Sequence, residues 1–421
     1  MLIQFTAKNF RSIKEEICFQ MTKAPGAELE NNYFSVDAAG VQNTQLLRSA
    51  AIYGANASGK SNIVKAIREM NWFVLNSAKA LGPEELIDAE PFLFDSVSKN
   101  EPSEFYVDFV SRNVRYQYGF TLTKERVLEE WLFAYPNGRA QTWFERTYDH
   151  ESGTYVYSRD TNLAGKKSVW KETTRDNALF LSTAIMLNSK QLKPVYDWFD
   201  TTLKGVGFNG IDPTYTASVI VEHDMKDEVL EFLKKADLGI EDLEAETKDF
   251  DYSSLPAEIP DDIKKIMMEK LGDVKHIDIK TGHKDDAGNI EYIDLSSESD
   301  GTQRIFALAA PIMDVLKNGY VLVIDELHNS LHPNLVKHLV SLFNNPEKNK
   351  KNAQLIFTTH ETSILSQDIF RRDQIWFCEK NEDSSTHLYS LSEFKVRKGV
   401  ENIERNYLSG KYGALPFVSM Y

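Results

Sequence analysis

Cysteine is scarce: only Cys18 and Cys378 occur among 421 residues. Two thiols exclude a disulfide framework and an all-cysteine zinc site, and they fit a reducing cytoplasm. Long apolar runs are missing as well, and none approaches the ~20 residues of a membrane helix. The opening MLIQFTAKNFRS is too short and too polar for a secretory signal. Positive charge is in deficit. The formal charge of −15 argues against binding nucleic acid through overall charge, while a local basic patch stays compatible with it. Neither sustained heptads nor internal repeats occur, which excludes a long coiled coil. What remains is 42% hydrophobic and 26% charged, the composition of a globular chain long enough for a large core and two structural units.

The most informative stretch is Leu46 to Ser61, LLRSAAIYGANASGKS. An apolar run fit for a buried strand leads into Gly54-Ala55-Asn56-Ala57-Ser58-Gly59-Lys60-Ser61, the G-x-x-x-x-G-K-S pattern of a phosphate-binding loop. Glycines let successive N–H groups curl toward phosphate oxygens. The helix that follows turns the positive end of its dipole on the same anion. Lys60 supplies a cation for β and γ phosphates, and Ser61 a hydroxyl for Mg²⁺. Ile63, Ile67, Met70, Val74 and Leu81 follow at near-helical spacing, so the loop stands between a strand and a helix, as the motif requires.

Upstream, Ile3, Phe5 and Ala7 alternate with polar residues and predict a strand, and Ile17, Phe19 and Met21 a second. Between Pro91 and Phe144, alternation at Phe105, Val107 and Phe109 and at Tyr116, Tyr118 and Phe120 predicts an antiparallel sheet flanking the nucleotide site. The patterning then becomes helical. Leu179 to Phe199 reads as a helix with a kink at Pro194, Met225 to Ala236 as an amphipathic helix and Ile259 to Leu271 as another. Leu243–Glu258 and Gly282–Gly288 read as acidic or polar connectors.

α/β patterning returns near residue 291, with Tyr292 to Leu295 predicted as a short strand. Ser299-Asp300-Gly301-Thr302 opens a helix and is either an anion site or an ordinary N-cap. Tyr320 to Ile324 is a continuous apolar run ending in Asp325-Glu326, a Walker B pattern. It delivers two carboxylates to a strand end, where open α/β sheets bind ligands. Asp325 is placed to serve Mg²⁺ and Glu326 to orient the attacking water, given the upstream loop; alone, such a pair could equally face solvent. His360 follows a further buried strand, Gln354–Thr358, and is open to a structural role or to sensing the terminal phosphate. His328 and His332 are followed at once by Pro333 and do not form H-E-x-x-H, so metalloprotease chemistry is not expected.

The order of Asn9-Phe10-Arg11-Ser12, phosphate loop, long insertion, Glu298-Ser299-Asp300-Gly301-Thr302-Gln303-Arg304, Asp325-Glu326, Asn329-Ser330-Leu331-His332-Pro333, Thr358-Thr359-His360 and Tyr407-Leu408-Ser409-Gly410-Lys411-Tyr412-Gly413 resembles an ABC-type ATPase. More narrowly it is similar to the SMC-like heads of the RecF, OLD and RloA group, and most of all to the RloA/AbiLi type associated with phage defence. The likeness spans nearly the whole chain and is weakest over 145–220. It implies an α/β fold: an ABC-type P-loop NTPase head with a flanking antiparallel β-sheet and a mostly helical insertion. The halves of the head would be 1–144 and 291–421, with the insertion at 145–290.

The resemblance also implies roles. Gly54, Asn56, Ser58, Gly59, Lys60, Ser61 and Asn62 would hold the nucleotide, with Arg11 near it. Ser61 and Asp325 would hold Mg²⁺. Lys60, Glu326 and the switch His360 would serve hydrolysis. Ser299, Gly301 and Thr302 would act on ATP bound by a second subunit, in a homodimer or higher homo-oligomer, with Asn329 to His332 in the loop facing the partner site. The signature lacks the double glycine of transporters, and no glutamine suits a Q-loop, since Gln117 falls within a strand pattern. The stretch after His360 leaves no room for the Toprim nuclease domain of OLD proteins, so an autonomous nuclease of that type is not expected. The resemblance implies instead a cytoplasmic ATPase controlling a separately encoded effector, an RloB-like or Toprim nuclease. A RecF- or SMC-like maintenance ATPase with DNA as direct ligand is the alternative, and salt-dependent duplex binding would distinguish it. A nucleotide-gated scaffold without turnover is a third reading, which the intact Lys60, Asp325 and Glu326 count against.

Overall fold

The computed structural model describes residues 1–206, 212–249, 260, 263, 275–396 and 401–416. The expected helix Ile259–Leu271 lies outside these, apart from residues 260 and 263. The chain divides into two compact units. The first comprises Met1–Phe208, Val315–Asn329 and Val336–Tyr421; the second comprises Asn209–Asp314 and Ser330–Leu335.

In chain order the strands begin with β1 (Leu2–Lys8), β2 (Ile17–Gln20), β3 (Tyr33–Ser35), β4 (Gln45–Leu47) and β5 (Ser49–Tyr53). Then come β6 (Ser103–Ser111), β7 (Val114–Leu122), β8 (Val127–Ala134), β9 (Gln141–Asp149), β10 (Thr154–Tyr157) and β11 (Leu203–Val206). The second unit holds β12 (Asp242–Asp249), β13 (Lys275–Lys284) and β14 (Ile290–Asp294). The last are β15 (Val321–Ile324), β16 (Gln354–Thr358), β17 (Ile375–Lys380) and β18 (Thr386–Ser390). The helices are α1 (Lys60–Ala80), α2 (Lys167–Thr173), α3 (Phe180–Met186), α4 (Lys193–Asp197), α5 (Thr214–His223), α6 (Lys226–Lys235), α7 (Asp300–Asn318), α8 (Pro333–Asn344) and α9 (Ile403–Leu408).

The first unit is built on a six-stranded sheet of order β11-β15-β16-β5-β17-β18. All neighbours are parallel except β17 and β18. Its central strands, SAAIY, VLVI and QLIFT, are buried at every position. Uninterrupted burial explains why their sequences run apolar instead of alternating. A second sheet, β10-β9-β8-β7-β6-β1-β2, is antiparallel throughout. Its alternating aromatics fill one core with α1: Phe73 meets Phe120 at 5.5 Å, and Phe120 meets Phe105 at the same distance. The α/β head with a flanking antiparallel sheet is thus the observed architecture.

The segment 145–206 departs from expectation, because it packs in the first unit and not in a separate insertion. β9 and β10 continue the antiparallel sheet, and Trp170, Phe180, Trp198 and Phe199 are buried in the same core as α1. Glu130, fully buried on β8, accepts hydrogen bonds from the backbone N–H of Phe180 (2.6 Å) and Leu181 (3.0 Å) and from the Tyr118 hydroxyl (3.0 Å). The sheet thereby satisfies the first orphan N–H groups of α3. Leu179–Phe199 is not one helix: α3 and α4 are separate and a π-helical turn, Trp198–Thr202, follows α4, since Asn188 adopts φ 66° between α3 and α4 and Pro194 sits in the first turn of α4.

The second unit contains α5, α6 and a three-stranded antiparallel sheet, β12-β13-β14. The expected amphipathic helix at 225–236 is present as α6, burying Val229 and Leu233. Of this sheet, the short strand expected at Tyr292–Leu295 is present as β14, two residues earlier, whereas β12 and the end of β13 fall where connectors were expected. β12, DLEAETKD, is mostly charged or polar, so alternation there has little hydrophobic contrast. Among the described residues no helix is long and apolar enough to cross a membrane.

Candidate functional site

The strand order puts β16 between β5 and β15. Being parallel, these strands deliver their C-terminal ends to one edge: Gly54 after β5, Asp325 after β15, and Thr359-His360 after β16. A hydrogen bond from Thr359 N to Ile52 O (3.1 Å) ties the end of β16 to that of β5.

The loop after β5 turns through Ala57 at φ 60° and Gly59 at φ 106° before α1 begins. Gly59 is required on two counts. Its conformation disfavours any side chain, and a Cβ there would stand 1.9 Å from Thr386 Oγ1. Gly54 is equally confined, since a Cβ would come within 2.2 Å of the Cys378 carbonyl oxygen. Lys60 is 5% exposed, and its Nζ donates to the carbonyls of Gly54 (2.9 Å) and Ala55 (2.8 Å). Burial lowers its pKa, and Cys378, Asp325 and Glu326 oppose that shift. A desolvated cation folded over its own loop is poised for an anion, whose charge would restore what burial removes. Asn56 and Ala57 are exposed at the loop tip, and Ser61 is half-buried in the first turn of α1.

At the end of β15, Glu326 adopts φ 53°, a left-handed conformation uncommon for a non-glycine residue. Thr358 holds it there. The Thr358 hydroxyl accepts from Glu326 N (2.8 Å) and donates to Asp325 Oδ1 (2.5 Å). The other oxygen, Asp325 Oδ2, is buried and has no hydrogen-bond partner. Buried carboxylate oxygens without a donor are rare. An acceptor of this kind, in a residue 4% exposed, near Lys60 and on the same edge as the Ser61 turn, fits a hard cation with oxygen ligands. Ser61 and Asp325 would therefore hold Mg²⁺, which would neutralise phosphate charge. Among the described residues no cluster of three or more His, Cys, Asp and Glu could hold a metal ion.

His360 is partly buried and lies 5.5 Å from His328, ring to ring, at 75°. Its pKa falls to about 4, first through burial, then through Lys60 and His328, with Asp325 opposing. The imidazole is therefore neutral near pH 7 and able both to donate and to accept a hydrogen bond.

The Asn9–Ser12 turn reaches the site through Ser12. Its hydroxyl meets Thr386 Oγ1 (2.7 Å) and accepts from Asn62 Nδ2 (2.6 Å), and Thr386 in turn donates to Ser58 O (3.0 Å). Asn9 fixes the turn by donating to the carbonyls of Ser98 and Glu101. The Arg11 guanidinium pairs with Glu90 in this structure. Ser12, Thr358, Cys378 and Thr386 were not singled out by sequence. The S-x-G-T pattern could not point to them, and only Ser12 and Thr358 stood inside quoted motifs. Gln117 bonds Asp108 and Tyr135 within the antiparallel sheet, as its strand position implied.

Ser299, Gly301 and Thr302 belong to the second unit. Thr302 N donates to Ser299 Oγ (3.2 Å), and the two hydroxyls lie 2.9 Å apart, an N-cap arrangement at the start of α7. A Cβ on Gly301 would stand 2.7 Å from the Ser330 carbonyl oxygen. His332 Nδ1 accepts from Asn334 N (3.2 Å), a helix-capping role.

The family described as "AAA domain, putative AbiEii toxin, Type IV TA system" matches residues 49–366, which spans β5, the phosphate loop, Asp325-Glu326 and His360. The chain belongs to this AAA domain family. No curated protein matches it. Solved structures similar to the AAA chain include an SMC head bound to the C-terminal winged-helix domain of ScpA, at 14% identity over 92% of this chain and 97% of that one, with a TM-score of 0.38. They also include the SMC head domain from Thermotoga maritima (12%, 94% and 99%, TM-score 0.39) and the recombination mediator RecF with ATP (14%, 92% and 99%, TM-score 0.36).

Proposed function

We propose that this AAA protein is a Mg²⁺-dependent ATPase whose hydrolysis controls assembly of the chain with itself and, through that, a separately encoded effector. The carrying observation is the convergence of Lys60, Asp325-Glu326 and His360 on one sheet edge, with Thr358 fixing the carboxylates. In this reading the loop amides and Lys60 bind the β and γ phosphates. Glu326 orients a water for attack on the γ phosphorus, and neutral His360 contacts the γ phosphate by hydrogen bonding. Charge development in the transition state is spread over the phosphoryl oxygens, so positioning and electrostatics carry the rate.

Ser299, Gly301 and Thr302 would complete the site of a second copy, which would make ATP a bridge between subunits and couple binding to closure. The family description names a putative toxin of a toxin–antitoxin system, and the sequence resembles phage-defence ATPases. The resemblance supports a role in antiviral defence with a separately encoded nuclease as the controlled partner, and the family description would make the AAA chain itself the toxic component. The test is the solution mass of wild type and Glu326→Gln, with and without ATP and Mg²⁺. A larger ATP-dependent assembly trapped by Glu326→Gln is expected. Equal masses in all four samples would contradict the coupling of ATP to assembly.

A further inference from the structure

The C-terminal stretch Tyr407 to Gly413 has no part in the site described so far, yet it is folded against it. Tyr407 meets Tyr53 edge-on at 6.1 Å and stacks on Phe377 at 5.2 Å, and Tyr412 stacks on the same Phe377 at 5.8 Å. Tyr53 is the last residue of β5, directly before Gly54, and Phe377 precedes Cys378, whose carbonyl confines Gly54. The aromatic stack therefore underlies the base of the phosphate loop. The stretch is closed on itself and on β18: Tyr407 donates to Ala414 O (3.1 Å), and Tyr389 donates to Tyr412 O (2.7 Å).

One turn before Tyr407, α9 and the residues that lead into it hold the loop that carries His360. Thr362 Oγ1 donates to Glu404 Oε1 (3.0 Å), and Gln367 Nε2 donates to Glu401 O (2.7 Å). Within that loop, Glu361 N donates to Thr359 Oγ1 and Glu361 Oε1 accepts from Ser363 N, both at 3.0 Å. The Tyr53 hydroxyl is fully buried and makes no hydrogen bond, although the carboxylates of Glu361 and Glu404 act on it electrostatically. A buried hydroxyl without a partner is costly, so the packing of Tyr407 on Tyr53 holds a strained point at the base of the phosphate loop.

We infer that α9, through Glu404 on Thr362 and Tyr407 on Tyr53, positions the His360 loop relative to the phosphate loop, so that the C-terminal stretch sets the rate of hydrolysis more than the affinity for ATP. The inference rests on the ATPase reading above. Glu404 and Thr362 are positioning residues, since they act through the backbone that carries His360. A displacement of the order of 1 Å at a reacting group is worth up to about a hundredfold in rate, and loss of one of several restraints about tenfold.

The experiment uses the full chain with Glu404→Ala and Thr362→Val, paired with Glu404→Gln and Thr362→Ser. Turnover, KM for ATP and hydrogen exchange of residues 359–367 without nucleotide are measured for each. Glu404→Ala and Thr362→Val are expected to lower kcat about tenfold and leave KM for ATP within about twofold. Gln still accepts and Ser still donates, so both conservative variants restore turnover. Exchange over 359–367 rises in Glu404→Ala and not in Glu404→Gln. Wild-type kcat in both Glu404→Ala and Thr362→Val, or an equal loss in the conservative pair, overturns the inference. If wild type turns over no faster than Lys60→Ala, the ATPase reading fails separately. The exchange comparison then decides alone, and unchanged protection in Glu404→Ala overturns the hold of α9 on the loop.

Discussion

Replacing Thr358 by valine tests how the two carboxylates are held. The hydroxyl is the shared partner of Asp325 Oδ1 and Glu326 N, and Thr358 itself is fully buried. Valine keeps the shape and removes both bonds. Loss of a hydrogen bond to a charged acceptor costs about 1.5–3 kcal/mol, and a stranded backbone N–H about 1–3 kcal/mol. Because both losses share one atom they do not add fully, and about 2–4 kcal/mol is expected for the pair. Glu326 is also held at φ 53°, a conformation costing about 1–2 kcal/mol for a side-chain-bearing residue. Without the Thr358 acceptor that cost favours relaxation, and the carboxylate drifts. Turnover should fall about tenfold to a hundredfold. The assays are the urea midpoint of the nucleotide-free protein and phosphate release at saturating ATP. Thr358→Ser, which retains the hydroxyl, should recover most of both. Wild-type midpoint and turnover in Thr358→Val would refute the reasoning.

Further outcomes follow from the same geometry. Gly59→Ala is expected to lose ATP binding, because the added Cβ meets Thr386 Oγ1 at 1.9 Å in a left-handed turn; equilibrium binding of a fluorescent ATP analogue checks this. His360 is neutral in the fold with a pKa near 4, against an ordinary value of 6.5. The unfolded chain therefore takes up its proton first. The contribution of neutral His360 is complete above pH 6.5 and is lost as pH falls from there toward 4. The urea midpoint of wild type should drop more steeply between pH 7 and 5 than that of His360→Asn. Mixing Lys60→Ala with Ser299→Arg should restore part of the turnover that each lacks alone, since one intact composite site can form per mixed dimer; phosphate release from the mixture reads this out.

Legibility in the sequence followed locality. The phosphate loop is a contiguous pattern flanked by its own strand and helix, and Asp325-Glu326 ends a strand, VLVI, whose burial on both faces writes itself as an unbroken apolar run. Both could be read without partners. Thr358 could not, because its role arises only when β15 and β16 lie side by side. Ser12 meets Thr386 across 374 positions of chain, a pairing that no local period announces. Residues 145–206 read as part of an insertion because Trp170, Phe180 and Trp198 find their partners on α1 and on distant strands of the antiparallel sheet. In the second unit β12 escaped for a different reason, while β14 was read. β12 reads DLEAETKD and buries Leu243 amid charged and polar residues, so period-two alternation lacked the contrast that normally reveals a strand.

The central claim is hydrolysis of ATP by the Lys60, Asp325 and Glu326 constellation. Steady-state phosphate release tests it most directly, for wild type, Lys60→Ala, Asp325→Asn and Glu326→Gln, each with Mg²⁺ and with EDTA. The account predicts turnover in wild type with Mg²⁺ alone, and background rates in the three variants and in EDTA. Turnover that survives all three substitutions, or a wild type no faster than Lys60→Ala, would contradict it.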